Sequence, residues 1–115
     1  MKLVALAVLA AALVVPSAGA KSTAGKLVGT VGPGYTITLT QGGKKVSKLP
    51  AGAYVITIAD KAGDHNFHLA GPGLNKKTSV GGKGTFAWTV MLKKGKYTYV
   101  CDPHAAFMKG AFSVT

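Results

Sequence analysis

The chain has 115 residues, 48% of them hydrophobic, with 14 basic residues against 3 acidic ones and a formal net charge of +11. That length leaves room for one domain, and the single cysteine excludes a disulfide framework. Every basic residue is lysine, so the forked arginine contacts that grip phosphates and read bases are missing, and nucleic acid is a poor partner.

The first element in the chain reads as a leader. Lys2 is followed by an unbroken apolar run, Leu3 to Val15, then Pro16 and the small residues Ala18-Gly19-Ala20. Thirteen apolar residues fall short of the roughly 18–20 that cross a bilayer. The pattern predicts a signal peptide over residues 1–20, cleaved after Ala20. It also predicts export to a periplasmic, extracellular or cell-envelope location, with no transmembrane span in the mature chain. Residues 21–115 then form the domain, expected to be a monomer. Loss of Lys2 lowers the net charge from +11 to +10. Such a basic surface suits partner proteins with acidic docking surfaces, or serves solubility alone.

Seven short runs rich in Val, Ile, Thr, Tyr and Phe follow: 26–31, 35–41, 53–60, 66–70, 84–92, 96–101 and 111–115. In Tyr35-Thr36-Ile37-Thr38-Leu39-Thr40 apolar and hydroxyl residues alternate, which gives one buried and one wet face. Thr85 to Val90 alternates likewise. Gly32-Pro33-Gly34, Gly42-Gly43, Gly71-Pro72-Gly73, Gly81-Gly82 and Lys94-Gly95 break the runs with turn residues. No helical stripe is present. The pattern predicts an all-β, Greek-key β-sandwich of about seven to eight strands. Tyr97 either pins a corner through its hydroxyl or packs in the core, and Trp88 is expected in the core.

The chemistry sits near the C-terminus. Cys101-Asp102-Pro103-His104-Ala105-Ala106-Phe107-Met108 places a thiol, an imidazole and a thioether on one short loop after a strand. A lone cysteine in an exported chain is a thiol at risk of oxidation or a thiolate carrying a metal. Two histidines, one cysteine and a weak axial methionine form the ligand set of an electron-transfer copper site. The second imidazole must come from elsewhere. Asp64-His65-Asn66-Phe67-His68 offers two, which on an extended strand point to opposite faces.

Together, His65-Asn66 and Cys101-x-Pro-His104-x-x-x-Met108 resemble the cupredoxins, the plastocyanin and amicyanin group of blue-copper proteins. Amicyanins are the most similar, with a His-Asn-x-His segment and an ending matched by Phe107-Met108-Lys109-Gly110. The resemblance runs from about Ala53 to Thr115. It implies one copper ion held by His65, Cys101, His104 and Met108, with His68 a structural or surface residue. It assigns Asn66 the task of tying the His65 segment to the cysteine loop. Three residues separate His104 from Met108, between the shorter amicyanin spacing and the longer plastocyanin one. The implied function is single-electron transfer; copper storage or delivery is the alternative. A copper reductase would need more histidines than the three present, so no enzyme is expected. Gly71-Pro72-Gly73 and Ala105-Ala106-Phe107 are expected to rim a partly exposed His104, with Asp102 a candidate partner for its imidazolium.

Overall fold

The computed structural model describes residues 25–115; the expected leader lies outside them. Ten strands run in chain order: β1 Gly25–Val31, β2 Ile37–Gln41, β3 Lys44–Lys45, β4 Lys48–Leu49, β5 Gly52–Asp60, β6 His68–Gly71, β7 Leu74–Lys77, β8 Gly84–Leu92, β9 Gly95–Val100 and β10 Lys109–Val114. A single 3-10 turn, Asp102–His104, is the one helical element among the described residues. The seven expected strands are all present. The three extra ones are short and rich in lysine.

The strands form two five-stranded sheets, ordered β3-β2-β1-β5-β8 and β4-β10-β9-β6-β7. The β1–β5 and β4–β10 pairs are parallel and the rest are antiparallel. In β5 every second residue, Tyr54, Ile56, Ile58 and Asp60, is buried, as strand periodicity requires for one face turned to the core. The other sheet answers with Leu69, Tyr97, Tyr99 and Phe112. Phe67 stacks on Tyr99 at 5.5 Å and Tyr97 on Phe112 at 5.2 Å, within the range of favourable aromatic pairs. Trp88 packs on the edge of this core, partly buried.

Strand direction separates two ends. β6 starts beside His65, whereas its antiparallel neighbour β9 ends at Cys101, with His68 opposite Val100 and Ala70 opposite Thr98. The Gly71-Pro72-Gly73 turn therefore falls at the far end, where Pro72 meets Gly95 and the Tyr97 ring lies against Gly71. It does not rim His104, contrary to the expectation, because antiparallel pairing carries it away from the loop. At that far end the Tyr97 hydroxyl accepts from the Lys93 N–H (2.8 Å) and lies 3.1 Å from the Lys93 carbonyl and 3.2 Å from the Pro72 carbonyl. Tyr97 thus does both tasks proposed for it: it is buried, and it pins the corner.

No helix among the described residues is long and apolar enough to cross a membrane.

Candidate metal centre

The loop from Cys101 to Met108 is built by its own backbone. Cys101 is still extended (φ −97°, ψ 115°), and Pro103 then stands in the first turn of the 3-10 element. Proline suits that place: its fixed φ favours the turn, and its missing N–H would go unpaired there anyway. The Cys101 N–H donates to the Met108 carbonyl (3.0 Å), which closes the loop, and the His104 carbonyl accepts from the N–H groups of Phe107 (3.1 Å) and Met108 (2.8 Å). The loop is therefore a continuation of the β9–β10 ladder.

This backbone brings three of the four expected residues together. Cys101 Sγ lies 3.7 Å from His65 Nδ1 and 3.6 Å from His104 Nδ1, and all three donor atoms lie within 4.8 Å of one another. Cys101 and His65 are buried, and His104 is half-buried. Met108 is buried at the base of the same loop. Bonds of roughly 2.0 and 2.3 Å, the lengths a first-row ion such as zinc makes to imidazole and thiolate, set donors about 3.7 Å apart when opened to a trigonal angle. The observed separations match. A cysteine sulfur with two imidazoles is a soft enough donor set to suit copper in either oxidation state.

Asn66 ties the His65 segment to the cysteine loop. Its Oδ1 accepts from the Asp102 N–H (2.7 Å), and its Nδ2 donates to Asp102 Oδ2 (2.8 Å) and to the Thr78 carbonyl (3.2 Å). Its backbone N–H points at Cys101 Sγ at 3.5 Å. Such surrounding bonds fix the orientation of ligands and tune the sulfur.

Asp102 does not face His104. Its two carboxylate oxygens are taken by His68 Nδ1 (2.8 Å) and Asn66, on the outer side of the loop. His68, on the opposite face from His65, also meets Asn75 Oδ1 through Nε2 (2.6 Å). Burial disfavours the charged forms of both partners, but the hydrogen bonds outweigh it. Asp102 and Asn75 raise His68 above its ordinary range, and His68 and Asn66 hold Asp102 below the usual carboxylate range.

Two neighbours of the site escaped the sequence reading. Asp60, at the end of β5, is buried, and its Oδ2 has no hydrogen-bond partner; burial raises its carboxyl above the usual range, while the Ala62 N–H and the nearby His65 pull it back. An aspartate at an inward position of an otherwise apolar strand was the available signal. Tyr35 lies edge-on to both histidines. Nothing in its local sequence separates it from a core position.

No curated protein matches the chain by sequence. Among solved structures, reduced rusticyanin superposes with a TM-score of 0.59 at 24% identity over 78% of each chain. Rusticyanin from Thiobacillus ferrooxidans gives 0.57 at 23% over 78% of this chain and 76% of that one. Auracyanin B gives 0.52 at 17% over 83% and 91%. At such identities these likenesses concern the fold alone. A family model for copper binding proteins of the plastocyanin/azurin family matches residues 43–115. That match spans β3 to β10 and includes the whole His65–Cys101–His104 cluster, which fits a single type 1 copper ion; the chain belongs to the plastocyanin/azurin family of copper-binding proteins.

Proposed function

We propose that this protein is a single-electron carrier whose copper is held by His65, Cys101, His104 and Met108. The observation that carries this reading is the approach of both imidazole Nδ1 atoms to one buried sulfur, at 3.7 and 3.6 Å. Copper bound there supplies a one-electron couple. The chain's own part is to keep the donors still. The residues next to His65 and Cys101 are tied to each other by the Asn66–Asp102 bonds, which limits rearrangement when the charge changes. Half-buried His104 is the ligand nearest to solvent and the natural exit for an electron. No enzymatic step is assigned to the site. The test is Cu(II) titration of His65→Ala, His68→Ala and Met108→Ala. His65→Ala loses the intense visible charge-transfer band, His68→Ala keeps it, and Met108→Ala keeps a band shifted in position. A His68→Ala variant without the band beside a blue His65→Ala variant would reverse the assignment.

The surplus of lysine supports a redox partner with an acidic docking surface. Oxidation by an anionic complex such as ferricyanide then slows as salt rises, because the Debye length falls from about 10 Å at 0.1 M to about 3 Å at 1 M. A rate independent of salt would leave the lysines to solubility alone.

A further inference from the structure

Tyr35 stands on the turn between β1 and β2, in the sheet that does not carry the cysteine loop. It is 63% exposed, whereas strand alternation alone would have buried it. Yet its ring meets three others. It meets His104 at 5.1 Å and 77°, His65 at 5.6 Å and 66°, and Phe107 at 5.7 Å and 66°. The two histidine rings lie 4.9 Å apart at 75°. All these are edge-to-face arrangements within the favourable range for aromatic pairs.

A second contact fixes the turn that presents Tyr35. Gly32 has φ +74°, and a Cβ there would lie 3.0 Å from His65 Cδ2 and 3.1 Å from Ala62 Cβ. The turn is closed by the Gly32 N–H to the Thr36 carbonyl (3.0 Å), and the Lys61 N–H to the Val31 carbonyl (2.9 Å) ties its base to the segment leading to His65. The turn is seated against the edge of His65, and Tyr35 reaches from it over His104.

We infer that Tyr35 is a positioning residue for the metal site: the edge contacts of its ring hold the imidazole of His104 toward Cys101 and, with Gly32, cover His65. His65 and Cys101 are enclosed by the two sheets and clamped through Asn66. His104 sits on a short 3-10 turn followed by Ala105, Ala106 and Phe107, all exposed, so its ring leans on no sheet, and its own loop offers it the exposed Phe107 ring, tilted at 5.7 Å. Tyr35 supplies that side wall from across the site. The contacts run ring to ring, so an aromatic ring is required and the hydroxyl is not.

This inference rests on His104 being a copper ligand, and its test separates the two. Tyr35→Phe, Tyr35→Leu and Tyr35→Ala are made in the full chain. Order of the His104 ring is measured by NMR relaxation in the metal-free protein, where no ligand assignment is assumed. Cu(II) hyperfine splitting and the rate of copper loss to excess chelator are measured in the loaded protein. Tyr35→Phe behaves as the parent. Tyr35→Leu and Tyr35→Ala lose His104 ring order and release copper several-fold faster, with the charge-transfer band still present but altered. An alanine variant with parental ring order and release rate overturns the inference, as does a phenylalanine variant as loose as alanine. Should alanine at this exposed position impair folding, leucine fills similar volume and answers the same question. Loss of the ligand reading shows itself differently, as a parent protein whose band survives His104→Ala.

Discussion

At the end of the sandwich away from the ligands, Tyr97 closes the corner with a buried ring and a hydroxyl held by Lys93 and Pro72. At the ligand end, Asp60, His65, Asn66 and Cys101 are buried together, and one oxygen of Asp60 lacks a partner. The far end uses neutral groups that satisfy each other, so ordering it adds stability. The ligand end keeps polar and titratable groups out of water, which costs free energy unless each finds a partner. In a small sandwich, the end that keeps an unpartnered buried group, as Asp60 is here, is the one to search for function.

Two alanine substitutions put that contrast to the test. Gly71→Ala would drive a Cβ into the Tyr97 ring, so the ring must leave and its hydroxyl must give up its bonds. Overpacking and the lost hydrogen bonds together cost about 3 kcal/mol, read as a lower denaturant midpoint. The copper spectrum should hardly change, since the corner lies at the opposite end. Gly32→Ala costs less, about 1–2 kcal/mol, from strain at φ +74°. Its Cβ presses on His65, so this milder variant should alter the spectrum. If the larger stability loss also brought the larger spectral change, the two ends would not be separable.

The smallest effect concerns pH. His68 is raised above its ordinary value of about 6.5, so the stability it adds is fully present below that value and is lost as pH rises through the folded value. Asp102 is lowered below its ordinary value near 3.8, so its contribution is present above that and is lost as pH falls through its folded value. The pair therefore helps most between those two limits. His68→Gln should destabilise the metal-free protein more at pH 5 than at pH 8. With Asp102 39% exposed, solvent keeps the difference to about 1 kcal/mol or less. Equal losses at both pH values would mean that His68 acts by packing alone.

Much of this arrangement is legible in the sequence, and the reasons are local. The Cys101–Met108 loop spans eight residues, so its donors are brought together by chain connectivity. The long strands showed themselves by alternation, as in Thr85–Val90. Strands β3 and β4 have two residues each, too few for any period to register, and β7 carries one apolar residue in four. Alternation makes Tyr35 an inward strand position, but β2 begins at Ile37, and Tyr35 turns back over His65 and His104. The Gly71-Pro72-Gly73 turn was assigned to the wrong end because composition does not reveal which way a strand runs. Asp102 was paired with its sequence neighbour His104, whereas its partners are 36 and 34 residues away. Proximity through tertiary structure is what the sequence pattern left out.

Cys101 has no exposed surface at all, and this bears on how the protein survives when no metal is bound. Joining two chains through a disulfide needs their sulfurs to approach to about 2.05 Å, and peroxide chemistry likewise needs the oxidant to touch the thiolate. Neither can happen while His65, His104 and the Asn66 amide crowd the sulfur. Thiol damage in the copper-free chain then waits for the loop between residues 101 and 108 to swing open, so the closed packing divides the rate of any oxidant by the rarity of that opening. The same packing that arranges the ligands gives the reactive atom its storage life.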